Sequence, residues 1–320
     1  MALRLANQWL WDFWMIADGE DYHLFYLQAP RSLDDPEQRH WNATIGHAVS
    51  TDLTHWEVLP GALLPGEPGQ WDDYTTWTGS VIRGDDRWAM LYTGTCHAEC
   101  GLIQRVGLAW SDDLIQWSKD PANPVLQLDA AQYEKLDLAV WHDQAWRDPW
   151  LFIDPADGRF HVYLTSRIQT GPSGERGVVA HAVSNDLRDW HVLAPVTPPG
   201  VYGHMEIPQL VGERGRWYLI FSTPGNAEPS SLIGPDAMLT GTHYLSSSSP
   251  TGPFTWDSHG VLLADRMGSW YGCKLVQTSP IDWIALAWGN AVAGGGFGGT
   301  LSDPIPIEWD QGPSLKIDPP

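Results

Sequence analysis

Apolar and polar positions along this chain fall into short runs with a period near two, interrupted by glycine, proline and acidic turns, which is the pattern of β-strands. The first run is Trp9-Leu10-Trp11-Asp12-Phe13-Trp14. Read as a strand, it puts Trp9, Trp11 and Phe13 on one face and Leu10, Asp12 and Trp14 on the other. The segment 22–30, ending at Pro30, and the segment 45–50 read as further strands, as do 80–82, 88–92, 160–164, 217–221 and 283–288. No long amphipathic helix fits; 129–136 is the best short helical candidate.

A unit recurs after some of these strands. Ser50-Thr51-Asp52-Leu53-Thr54-His55-Trp56 returns as Ser111-Asp112-Asp113-Leu114-Ile115-Gln116-Trp117 and as Ser184-Asn185-Asp186-Leu187-Arg188-Asp189-Trp190, with a degenerate copy at 248–256. The spacing of about 60–75 residues belongs to the class of repeats that build propellers or solenoids. Asp52, Asp113 and Asp186 read as turn caps, and Trp56, Trp117, Trp190 and Trp256 as core between repeats. Four copies plus a terminal unit predict an all-β, five-bladed β-propeller, with residues 1–320 as a single domain. In a propeller the innermost strand of each blade lines the central channel, so its polar residues converge.

Composition sharpens this picture. Glycine (32) and proline (25) displace charged residues, which are only 18% of the chain, as expected of many turns between short strands. The 20 tryptophans exceed what a core needs, and flat rings suit the C–H faces of sugars. A net charge of −21 argues against nucleic acid and anionic membranes as partners, and no apolar run is long enough to span a bilayer. Met1-Ala2-Leu3-Arg4 does not read as a secretory leader, so the chain as given is expected to be cytoplasmic, or secreted if a leader was removed.

The cysteines, Cys96, Cys100 and Cys273, do not suggest a disulfide framework, and Cys96-His97-Ala98-Glu99-Cys100 finds no second cluster to complete a metal site, so no metal or cofactor is expected. Asp72 and Asp73 read as a solvated loop, Glu20, Asp21, Asp34, Asp35, Asp85 and Asp86 as turn acids, His47 and His181 as satisfied strand residues, and the glycine-rich run 291–299 as a blade-closing turn.

Three acids stand apart. Asp12 sits among large rings, Asp148 lies in Trp146-Arg147-Asp148-Pro149-Trp150, and Glu206 lies in His204-Met205-Glu206-Ile207-Pro208. Asp12 alone reads as a buried structural acid. All three together, on the inner strands of blades one, three and four, would face the axis. Such a cluster separates their pKa values, leaving one acid protonated and the others ionised. A carboxylate pair flanking an acetal carbon is the machinery of glycoside hydrolysis.

The chain resembles the five-bladed propeller glycosidases that act on fructosides, glycoside hydrolase families 32 and 68, and more distantly family 43. The resemblance runs through His23-Leu24-Phe25-Tyr26 with Gln28, Gly46-His47-Ala48-Val49-Ser50, Trp77-Thr78-Gly79-Ser80, Tyr92-Thr93-Gly94, Arg147-Asp148-Pro149, the Glu206 motif and Gly299-Thr300-Leu301-Ser302-Asp303-Pro304. It implies Asp12 as nucleophile, a protonated Glu206 as acid/base, Asp148 as stabiliser of the transition state and Arg147 as partner of the cluster. It also implies that Trp11, Gln28, Trp77, Thr78 and His204 line the sugar pocket. Asp12 lies in Trp-Asp-Phe-Trp rather than an Asn-Asp-Pro-like motif, and Ile207 rather than Cys follows Glu206. The residues between Arg39 and Ile45 do not match the usual tryptophan-rich loop, and no C-terminal β-sandwich is expected.

The activity implied is a retaining β-fructofuranosidase acting on sucrose or fructo-oligosaccharides. A fructosyltransferase, an arabinofuranoside-active enzyme and a non-catalytic sugar-binding propeller are the alternatives, and the oligomeric state stays open.

Overall fold

Each repeat folds as one antiparallel four-stranded meander, and five of them surround an axis. The computed structural model describes residues 3–84 and 86–316, with the backbone alone for 257–259. Met1, Ala2 and Asp85 lie outside the described residues.

Blade I comprises β1 (Gln8–Asp18), β2 (Asp21–Pro30), β3 (Thr44–Ser50) and β4 (Glu57–Leu63). Blade II comprises β5 (Thr75–Arg83), β6 (Trp88–Thr95), β7 (Arg105–Ser111) and the two-residue β8 (Ser118–Lys119). Blade III comprises β9 (Arg147–Ile153), β10 (Phe160–Arg167), β11 (Gly177–Ser184) and β12 (Trp190–Leu193). Blade IV comprises β13 (Glu206–Glu213), β14 (Arg216–Thr223), β15 (Thr240–Ser247) and β16 (Thr255–Asp265). Blade V comprises β17 (Trp270–Gln277), β18 (Trp283–Gly289), β19 (Ile305–Trp309) and β20 (Pro313–Leu315). The first strand of every blade is innermost: β1, β5, β9, β13 and β17 each pack beside the next, and β17 returns to β1. Among the described residues no helix is long and apolar enough to cross a membrane.

The recurring Ser-x-Asp-Leu unit is the turn between the third and fourth strands. Asp52 Oδ1 accepts from the amides of Thr54 and His55, Asp113 Oδ1 from those of Ile115 and Gln116, and Asp186 Oδ1 from those of Arg188 and Asp189. The leucine after each Asp takes positive φ, at 62°, 63° and 66°. Trp117 closes its turn by donating to Leu114 O and packs edge-on against Phe25 of the preceding blade. The run 291–299 joins blade V to blade I, since Leu10 N and Arg31 Nη2 both donate to Gly299 O. His23 pairs with His47 at 3.0 Å and His161 with His181 at 2.8 Å, each between the second and third strands of a blade.

Three expectations change. The segment 129–136 forms a turn, with Tyr133 N donating to Asp129 O, and Tyr133 then bridges to Ile168; this pairing removes the residues a helix would need. Asp72 is buried rather than solvated, because Tyr92 Oη and Lys119 Nζ both donate to it, and Asp73 accepts from the amides of Gly69 and His97. Strict alternation fails at Asp12, where the register shifts between Trp11 and Phe13.

That shift is a general device. Every innermost strand carries one extra residue near one end of the channel: at 11–13 in β1, 77–79 in β5, 147–150 in β9, 206–209 in β13 and 271–274 in β17. A β-bulge leaves a residue outside the ladder and re-aims its side chain. Here it lets consecutive residues, Trp11 with Asp12, Trp77 with Thr78 and Arg147 with Asp148, face one cavity, which a regular strand forbids.

Candidate active site

The bulges open into a cavity of about 930 Å³ at one end of the channel. Asp12, Asp148 and Glu206 all line it, so blades I, III and IV deliver their acids to a shared space. Each acid sits at or beside strained backbone. Asp12 has φ 28°, Asp148 has φ 58°, and Ile207, directly after Glu206, has φ 44°. A β-branched residue at positive φ is an outlier of the kind that active sites hold in place at about 1–3 kcal/mol each.

The polar contacts differ for each acid. Trp288 Nε1 donates to Asp12 Oδ1 at 3.0 Å. Asp148 Oδ2 accepts from Thr165 Oγ1 at 2.7 Å and from the Ile207 amide at 3.0 Å. Glu206 Oε1 accepts from Arg147 Nη2 at 2.5 Å and Oε2 from Tyr271 Oη at 2.6 Å. Arg147 also pairs with Asp143 at 3.0 Å and approaches Asp148 at 3.6 Å, so one guanidinium bridges three carboxylates.

Burial, followed by the negative charges of Asp148 and Glu206, pushes Asp12 up to about 8. Burial raises Asp148 as well; Arg147 opposes the shift and Glu206 adds to it. Burial and mutual repulsion thus favour the neutral forms of both Asp12 and Asp148. Burial works against the charge on Arg147, but Asp143, Glu206 and Asp148 outweigh it and hold the guanidinium firmly cationic. His204 is kept neutral by burial and by Arg147 and Arg167, and its Nε2 accepts from Trp141 Nε1 at 2.8 Å.

Trp11, Trp77, Thr78, Arg147 and His204 line the cavity as expected. Gln28 does not. It faces Thr44 across the β2–β3 pair, with Nε2 3.4 Å from Thr44 Oγ1, and Leu27 lines the cavity in its place. Trp41 does line it, stacked on Tyr74. Tyr271, Trp288, Trp141, Asn290 and Arg39 are lining residues that the sequence reading passed over. Tyr271 was within reach: it stands at the start of the register shift in the fifth inner strand, as Glu206 does in the fourth. Arg39 lies 3.9 Å from the Phe297 ring centroid and lowers Asp12 slightly by its charge.

His142, Asp143 and His204 bring ligand atoms within 4.8 Å of one another. They do not fit a metal well, since Trp141 occupies His204 Nε2 and Arg147 supplies the positive charge beside Asp143.

A family model, the glycosyl hydrolases family 32 N-terminal domain, matches residues 10–294. The chain belongs to glycoside hydrolase family 32. Among similar proteins, an extracellular exo-inulinase of Aspergillus awamori is 26% identical over 320 aligned positions, covering 90% of this chain and 52% of the inulinase. The chain thus spans about half the length of that curated relative. Two solved structures share the fold. An inulosucrase from Halalkalicoccus jeotgali bound to kestose superposes with a TM-score of 0.79 at 22% identity, covering 97% of this chain and 87% of the other. A GH32 beta-fructofuranosidase of Bombyx mori gives 0.73 at 21%, covering 98% and 64%.

Proposed function

We propose that this family 32 chain is a retaining glycoside hydrolase of β-fructofuranosides, working through a covalent fructosyl-enzyme intermediate. The observation that carries the reading is the convergence of Asp12, Asp148 and Glu206 on one cavity, each with a different set of donors.

In the first step the Asp12 carboxylate attacks the anomeric carbon while the bond to the leaving oxygen breaks, and Glu206 gives that oxygen its proton. In the second step Glu206 removes a proton from water, the water oxygen attacks the anomeric carbon, and the bond to Asp12 breaks. Asp148, held by Thr165 and the Ile207 amide, accepts hydrogen bonds from ring hydroxyls as the ring flattens. Arg147 and Tyr271 fix the Glu206 carboxyl, and Trp288 fixes that of Asp12. Burial favours the neutral form of Asp12, while the Trp288 donor and the Arg39 charge favour the carboxylate that the first step uses.

Assays on sucrose and on short inulin- and levan-type oligosaccharides test the proposal. Fructose release is expected, with a loss of at least about a thousandfold in Asp12→Asn and in Glu206→Gln. No release from any of these substrates rejects the substrate class. Early product analysis by NMR should show the β anomer; the α anomer would exclude retention.

A further inference from the structure

Lys274 lies on β17, three residues past Tyr271, and is 5% exposed. Its Nζ donates to the carbonyl oxygens of Ile207 at 2.5 Å and Pro208 at 3.2 Å and stands 5.4 Å from the Trp150 ring centroid. Among the described residues no carboxylate oxygen forms a salt bridge with it. The small cavity that it shares on its other side, about 90 Å³, is lined by Trp14, Met15, Trp150, Gln209 and Val276 among others and presents no acid. A buried cation without a paired anion is costly, and two carbonyls offset that cost only in part.

The charges that act on Lys274 are those of Asp148 and Asp12 across the channel, with the neighbouring Cys273 thiol on its own strand. Tyr22 is the only other titratable group lining the small cavity. The backbone that Lys274 grips is the strained one. Ile207 follows Glu206, has φ 44°, gives its amide hydrogen to Asp148 and gives its carbonyl oxygen to Lys274. One residue therefore joins the ammonium to two of the three acids.

We propose that Lys274 is a positioning residue of the acid cluster: its ammonium clamps the bulge that carries Glu206, and its charge favours the ionised forms of Asp12 and Asp148. Lys274 does not touch the substrate cavity and takes no proton in either step. Burial lowers it to about 8 and the two acids oppose that fall, so the coupling acts in both directions.

The inference rests on the fructosidase reading for its kinetic test but not for its spectroscopic one. Lys274→Met should lower kcat on sucrose about tenfold, the equivalent of about 1.4 kcal/mol, with KM little changed and the acidic limb of kcat/KM moved to higher pH. Lys274→Arg, which keeps the charge, should leave that limb in place. A folded Lys274→Met enzyme with wild-type kcat and pH profile overturns the proposal. The second measurement needs neither variant of Lys274 to fold nor any substrate. Carbon-13 labelling of the lysine side chains gives few signals, Lys119, Lys135 and Lys316 being the others. The Lys274 resonance should titrate at lower pH in Asp12→Asn than in the wild type, and identical titrations overturn the coupling to Asp12.

Discussion

Tyr271 Oη donates to Glu206 Oε2 at 2.6 Å across the boundary between blades V and IV. Burial and the negative charge of Glu206 push that phenol well above its usual value, so it stays a donor throughout the accessible pH range. A hydrogen bond to a charged group is worth about 1.5–3 kcal/mol, so Tyr271→Phe should reduce kcat roughly 10- to 100-fold. The ring still packs against Trp288, and the melting temperature should move little. Steady-state kinetics beside thermal unfolding check this; unchanged kcat would remove Tyr271 from the machinery.

Trp288 bears the same relation to Asp12. Its indole N–H is a donor that favours the ionised carboxyl, against burial and the neighbouring acids. Trp288→Phe deletes that donor and leaves most of the ring contact with Phe297. The acidic limb of kcat/KM should therefore rise by about one pH unit, since one unit corresponds to about 1.4 kcal/mol. A limb that stays put, or falls, contradicts the assignment of that limb to Asp12.

Asp12 should also leave a mark on stability. Its folded value of about 8 stands above the ordinary 3.8, so the native chain holds the proton more tightly than the unfolded one. The contribution is complete below about pH 4 and is lost as pH rises through about 8. Asp12→Asn suffers no such loss and can still accept from Trp288. Its stability relative to the wild type should grow between pH 4 and 8 and reach about 1–2 kcal/mol, a figure reduced because the carboxyl is partly open to the cavity. Denaturant midpoints across that pH range give the measurement, and a constant difference would show that Asp12 is ionised throughout.

The repeat unit made the propeller legible. Ser-x-Asp-Leu recurs because one turn geometry needs a side-chain acceptor for two amides and an apolar side chain buried beneath it, even at the cost of positive φ at the leucine. The three acids were legible for a related reason: each stands in an apolar stretch where a solvated role is excluded. Gln28, which the family resemblance implied, lies on β2, whose pairing with β3 is regular throughout. Its side chain turns to Thr44 across that pair, and Leu27 lines the cavity, a choice of face that a shared motif does not carry. The contacts that Tyr271 and Trp288 make with the acids were not legible, because each joins strands far apart in the chain and no short stretch encodes it.

Glycine at 272 separates the demand of the bulge from the demand of space. It has φ 60°, and a Cβ added there would lie 2.4 Å from Trp288 Nε1 and 2.9 Å from Ile207 Cδ1. Gly215, in the hairpin between β13 and β14, has φ 76° and nothing within 4 Å of such a Cβ. Gly215→Ala should cost only the left-handed conformation, about 1–2 kcal/mol, and leave kcat unchanged. Gly272→Ala carries that cost plus about 1–3 kcal/mol of overpacking. Because the displaced groups are the donor to Asp12 and the residue that feeds its amide to Asp148, kcat should also fall, measured well below the melting temperature. The two substitutions impose the same backbone penalty, so a difference in kcat between them isolates the crowding at the acid cluster. Equal kcat in both would mean that Trp288 and Ile207 can move without consequence for the acids they hold.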